Sequence, residues 1–207
     1  LINRYKRVTN LKEFPENSSD LKFINNMLRY SEVSYNRPAF KYYHLTGVHQ
    51  PHFIDKNFRK RESSSPSSRF EAGIASLKIA YRFLMILKEL GIYESSQIYI
   101  MADHGAYPLS SNEKLVRKYL DVAFPHGATP LFLFKDFNSS GKFKVNNASL
   151  TYFDFPEIVL GLANKAKNVD ASKYIEGFSK NKRLFYTFSN VASSKYYPRI
   201  IETQVEG

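Results

Sequence analysis

The chain has 207 residues, with 30 Lys and Arg against 19 Asp and Glu, a formal net charge of +11 and no cysteine. That length supports a sizeable core, and 17 Phe with 15 Tyr supply material for it. Disulfides and thiolate metal sites are excluded, no apolar run reaches the roughly 18 residues of a membrane-spanning helix, and the charge points to anionic partners such as nucleic acid, lipid headgroups or phosphorylated polymers.

Residues 1–17 are basic and then turn-like, with Arg4, Lys6, Arg7 and Lys12 ahead of Pro15. The start at Leu1, without a signal-peptide pattern, is read as a processed or excised part of a longer protein. Ser18, Ser19 and Asp20 form a helix N-cap cluster, and Leu21, Ile24, Met27 and Leu28 predict an amphipathic helix to about Tyr30. Ala39 to Leu45 predicts a strand, since Phe40, Tyr42, Tyr43 and Leu45 all favour sheet. Its end carries His44, His49 and His52, three of the five histidines. They read either as a polar loop satisfying local backbone groups or as part of a site. Lys56, Arg59, Lys60 and Arg61 then precede a serine-rich run. Residues 55–69 are expected to form a mobile loop over the site, its charge either solvated or facing an anionic ligand.

Arg69 to Leu90 is the strongest helix pattern. Glu71, Lys78, Arg82 and Glu89 fall within about 20° of one line at 3.6 residues per turn, and apolar residues cover most of the remainder. This predicts a helix packed on a sheet, with Lys78 and Arg82 exposed and Leu77 and Leu84 buried. Gly91 stands where a C′ glycine ends a helix. The helix then feeds a strand at 97–102, as a right-handed crossover in a parallel sheet would. Asp103, His104 and Gly105 follow that strand. A carboxylate beside an imidazole suits zinc or manganese, and ligands of open α/β sheets bind at the carboxyl ends of strands. The alternative is that Asp103 caps the next element and His104 is merely an exposed neighbour.

Ala106 to Phe124 contains a short possible helix around Glu113 to Leu120. His126 then precedes a second apolar strand at 130–135 and would be unremarkable as a loop histidine. Asp154, Phe155 and Pro156 open a helix through Ala163, with Asp154 as N-cap. Leu184 to Phe188 and Tyr196 to Ile201 read as late strands added antiparallel at one sheet edge.

Three blocks carry a resemblance. The first runs from Leu87 through Gly91, Tyr93 and Ser96 to Ile98 and on into Ala102-Asp103-His104-Gly105. The second is His44 to His52, with Gly47, His49 and Pro51 at its key positions, and the third is Tyr152 to Leu160 around Asp154 and Pro156. In their order along the chain, across residues 42–162, they resemble the sulfatase branch of the alkaline phosphatase superfamily. The nearest members are membrane-anchored sulfatase-like phosphoethanolamine transferases and lipoteichoic acid synthases.

The resemblance implies an α/β fold, an alkaline phosphatase-like three-layer α/β/α sandwich with a mostly parallel sheet, incomplete at its N-terminal side. Strands near 40–45, 97–102 and 130–135 would be neighbours. Residues 1–207 would be the C-terminal part of one extracytoplasmic domain, periplasmic or at the cell surface, of a membrane-anchored bacterial protein. Within it, 1–38 is a lead-in, 39–163 the α/β core and 164–207 edge strands. Asp103 and His104 would ligate a divalent metal, zinc or manganese, with calcium or magnesium as further options. His49 and His126 would be catalytic, at substrate or second-metal positions, converging with that pair, and Asp154 would be structural. The implied activity is hydrolysis or transfer of phosphate or sulfate esters, with a lipid headgroup or cell-envelope glycan as substrate.

The chain departs from this pattern in two places. Nothing upstream of Phe40 reads as the strand–helix unit that bears an early metal-binding acid and the nucleophile, and Ala106 stands where many relatives carry Glu. The missing N-terminal part is therefore an expected partner, and the 207 residues alone are expected to be inactive. The alternative is a degenerate, non-catalytic module that binds anionic glycan or lipid through a basic surface. Nucleic acid is not expected, because no RNP-type, helix-turn-helix or zinc-finger pattern is present.

Overall fold

The computed structural model describes residues 8, 10–33, 38–49, 51–52, 54–61, 66–105, 130–146, 148–164, 171–178, 183–189 and 199–205. They form a mixed α/β chain that divides into two compact units, Leu1–Ser139 and Ser140–Gly207. The boundary between the units falls at a turn where Asn138 and Gly141 both have positive φ.

The first unit is built on two helices. Helix α1, Ser19–Tyr30, starts where Ser18 Oγ accepts from Leu21 N at 3.3 Å, satisfying one of the orphan donors of a helix start. Its buried Leu21, Ile24 and Leu28 join Ala75, Ile79 and Ile86 of helix α2, Pro66–Glu89, and Leu90 beyond it, in one core. Gly91, at φ 74, then ends α2, with Ile92 N donating to Leu87 O.

Helix α2 has three faces, not the two expected. Ala72, Ala75, Ile79 and Ile86 are buried on the first. The polar stripe beside it is not a solvent face, because each member is tied to a segment wrapped around the helix. Glu89 accepts from Asn10, Arg82 donates to Lys12 O, Lys78 donates to Lys56 O, and Glu71 pairs with Arg61. Arg82 also lies 4.4 Å from the Phe14 ring and is half-buried, while Lys78 is exposed. The third face is apolar and open. Leu77, expected in the core, is 54% exposed, Phe70 and Tyr81 lie beside it in solvent, and Leu84 is only half-buried. On the helical wheel these residues lie opposite the buried face, so both could not face one core.

The serine-rich loop is shorter than expected, since α2 begins at Pro66, a residue favoured in a first helical turn. Residues 54–60 form a built turn instead, in which Asp55 Oδ1 accepts from Asn57 N and Arg59 N and Ile54 bridges Lys60.

Strands β1, Ile98–Met101, and β2, Phe132–Lys135, pair antiparallel, with Ile98 opposite Lys135 and Met101 opposite Phe132. This corrects the expected parallel sheet. Gln97 Nε2 donates to Asp136 Oδ1, Asn138 N to Glu94 O, and Lys135 Nζ to Ser96 O. Those bonds put the start of β1 beside the end of β2, which only an antiparallel pair allows. Residues 39–45, read as a neighbouring strand, form no strand here. Tyr43 instead packs against Phe23 of α1 and Phe83 of α2, and the amides of Thr46 and Gly47 bond to a side chain of α1. The aromatic content that favours sheet also suits packing between helices, and the tertiary context decides.

The second unit holds α3, Phe155–Asn164, α4, Ala171–Phe178, β3, Arg183–Ser189, and β4, Arg199–Val205. Asp154 precedes α3; its carbonyl accepts from Ile158 N, and its carboxylate accepts from Thr151 N and Oγ1. Helix α4 was not foreseen; its Tyr174 closes over Gly161 of α3, where a Cβ would force the Tyr174 ring to shift. Strands β3 and β4 are antiparallel, as expected, but pair with each other as a separate sheet and not at the edge of β1–β2.

Candidate functional site

The carboxyl end of β1 delivers Asp103 and His104 into solvent. Ala102 N still donates to Leu131 O, so the sheet ladder ends one residue before the pair. Their side chains are 69% and 55% exposed, and Gly105 behind them is buried. Local bonds arrange the two groups. His104 N donates to Asp103 Oδ1 at 3.0 Å, and His104 Nδ1 lies 2.7 Å from Gly105 O. A carbonyl oxygen only accepts, so Nδ1 carries the proton and Nε2 is the lone-pair nitrogen of the neutral ring. A histidine held this way, through its other ring nitrogen on a backbone carbonyl, is oriented as metal-ligating histidines are.

His104 Nε2 lies 3.8 Å from Asp103 Oδ2. Zinc bonds of about 2.0–2.2 Å at a tetrahedral angle put two donors about 3.3 Å apart, so a small side-chain adjustment would let both reach one ion. The pair fits a divalent metal as half of a site. Among the described residues, no three His, Asp or Glu side chains gather closely enough to hold a metal. His49, Asp103 and His104 therefore form no three-donor cluster, and His126 lies outside the described residues.

His49 and His52 sit on a different structure, a turn beside α2. Thr46 O accepts from His49 N at 3.1 Å, and Gly47 takes φ +57, a left-handed conformation that glycine adopts without strain. His49 is exposed, whereas His52 is only 6% exposed and its Nδ1 has no hydrogen-bond partner among the described residues. Burial first, then the nearby Arg69 guanidinium, hold the His52 imidazole below the usual histidine range, partly offset by the backbone of Val48 and His49. Of the charges at 56–61, Lys56 and Arg61 approach Glu71, while Arg59 and Lys60 are exposed.

The residue that sequence reasoning missed is Asp20. Read as one of a capping cluster, it is 7% exposed and receives Thr46 N at 3.0 Å on Oδ1 and Gly47 N at 2.8 Å on Oδ2. The only signal in the sequence was a second acidic candidate in a cap that Ser18 already completes.

A groove of about 290 Å³, lined by Leu11, Phe14, Phe58, Tyr81 and Arg82 among others, follows the wrapped side of α2 and includes neither histidine turn nor strand end. None of the helices among the described residues is long and apolar enough to cross a membrane. Comparison with protein-family models, with curated proteins and with solved structures finds no match to this chain.

Proposed function

We propose that these residues are part of a metal-dependent, sulfatase-like domain that hydrolyses phosphate or sulfate esters or transfers a phosphoethanolamine- or phosphoglycerol-type group. The observation that carries the reading is the pair at the end of β1. Asp103 and a histidine oriented through Gly105 O present an oxygen and a nitrogen 3.8 Å apart. In this reading they hold zinc or manganese. The ion, when bound, supplies charge to polarise an ester oxygen and to help ionise a nucleophile. His49 and His126 bind the substrate or serve its leaving group. The remaining ligands and the nucleophile come from polypeptide outside these 207 residues.

The alkaline phosphatase-like layering belongs to the same proposal. The open face of α2 supports it, because a helix that is apolar on two sides suits a position between layers. Phe70, Leu77 and Tyr81 would then be covered by sheet that the wider domain supplies. The domain is placed outside the cytoplasm, attached to a membrane-anchored protein, with a lipid headgroup or envelope glycan as the ester.

A second reading, a degenerate module that binds anionic glycan or lipid, is favoured by the net charge of +11 and by a metal pair without a third ligand among the described residues. Zinc titration with ester turnover separates the two. The chain alone should bind zinc weakly and leave aryl phosphate and aryl sulfate esters intact. A longer protein carrying an upstream strand–helix segment should bind zinc tightly and turn over, and Asp103→Ala should abolish both. A longer protein that folds but does neither sinks the enzyme reading. Enzyme-like turnover by the 207 residues alone, lost in Asp103→Ala, would place the nucleophile within them.

A further inference from the structure

We infer that Asp20 is the positioning residue of the histidine turn: from the first turn of α1, its carboxylate fixes the backbone that presents His49 and His52. Only the functional value of His49 rests on the reading above; the anchoring does not.

Three observations carry it. The carboxylate is 7% exposed and spends one oxygen on each of two successive amides, Thr46 N at 3.0 Å and Gly47 N at 2.8 Å. Successive N–H groups that converge on one anion form a concave nest, and hydrogen bonds to a charged acceptor are about twice as strong as neutral ones. Second, Asp20 is not needed to start the helix, since Ser18 Oγ already takes Leu21 N and Ser18 O takes Lys22 N. The acidic side chain is instead turned away from its own helix toward a loop 26 residues on, with the positive end of the α1 dipole behind it. Third, the turn passes its geometry on. Gly47 adopts φ +57 with Ser76 Oγ of α2 standing 3.9 Å from where a Cβ on it would lie, and His49 N closes onto Thr46 O. A shift of Thr46 and Gly47 therefore moves His49, and His52 beyond it, against α2.

The test is amide NMR on the full 207-residue chain and its Asp20→Asn, Asp20→Ala and Ser18→Ala variants. It reads hydrogen exchange at Thr46, Gly47 and Leu21 and the imidazole titrations of His49 and His52. Asp20→Ala should speed exchange at Thr46 and Gly47 by roughly tenfold or more, as loss of a charge-assisted bond implies. Asp20→Asn, of the same shape with one acceptor oxygen, should fall between and shift the His49 titration; if Asp20→Ala does not fold, Asp20→Asn carries the test. Ser18→Ala should speed exchange at Leu21 and leave the turn protected. Unchanged exchange at Thr46 and Gly47 in Asp20→Asn overturns the inference, as does equal loss of their protection in Ser18→Ala, which would mean that α1 stability alone holds the turn. Zinc added to the wild type reports separately on the metal reading, through His104. A chain whose turn responds to Asp20 while His104 ignores zinc retains the anchor and loses the metal.

Discussion

The two histidine-bearing segments are held in opposite ways. The turn with His49 and His52 is fastened from outside itself, by a buried carboxylate of α1 and by packing along α2. At the end of β1, short local bonds run from His104 to its neighbours Asp103 and Gly105. A segment anchored by distant residues shares their stability, whereas one anchored locally can rearrange at little cost. The scaffold of the turn is complete within the described residues. The strand end, which in the proposed reading holds the metal, brings together no third donor among the described residues, and such a pair acquires a defined geometry only when further groups close around it.

The largest test of the contrast is in the core. Ile79 is 2% exposed between the two helices, and Ile79→Ala should cost about 2–5 kcal/mol, read as a lowered urea midpoint. Amide protection at Thr46 and Gly47 should fall with it. Protection that survives unchanged would mean that the turn is local after all, and the comparison would fail.

How much of this was legible in the sequence follows the same divide. Helix α1 was read almost to the residue because its cap and its apolar spacing agree. Both strands β1 and β2 were found, but not their direction, because a short apolar run reads alike in a parallel or an antiparallel pair and only contacts such as Gln97 with Asp136 decide. The strand expected at 39–45 failed because Tyr43 packs between helices. On α2 the charged stripe was taken for a solvent face, yet Arg82 and Glu89 bond to residues some 70 or more positions earlier. A wheel shows where a charge points and nothing of what waits there. Asp103 and His104 could be named from their type and place, while Asp20 could not, since its partners are backbone amides that any sequence carries.

A smaller effect should appear with pH. Burial and Arg69 depress the His52 imidazole below the ordinary histidine value, so the unfolded chain binds the proton more readily than the folded one. The stability is therefore complete above about pH 6.5 and is lost as pH falls from there through the depressed folded value. Of the groups acting on His52, Arg69 disfavours its charged form, the backbone of His49 and Val48 favours it, and the His49 ring opposes it more weakly. Urea midpoints at pH 7.5 and 5.5 should differ less in His52→Phe than in the wild type. An unchanged difference would remove His52 from the account and weaken the claim that its turn is built into the core.

The smallest effect is expected at the strand end, where it is most diagnostic. Asp103 and His104 are mostly solvated, so Asp103→Ala and His104→Ala should each change stability by no more than about 0.5 kcal/mol. Neither should disturb protection at Thr46 and Gly47. If the pair holds a metal as proposed, zinc affinity should respond where the urea midpoint does not. The two substitutions should weaken zinc to a similar degree, because each removes one of two donors. If either costs more than about 2 kcal/mol of stability, the pair is part of the scaffold. Asp103 would then be better read as a residue that ends β1 than as one that holds a metal.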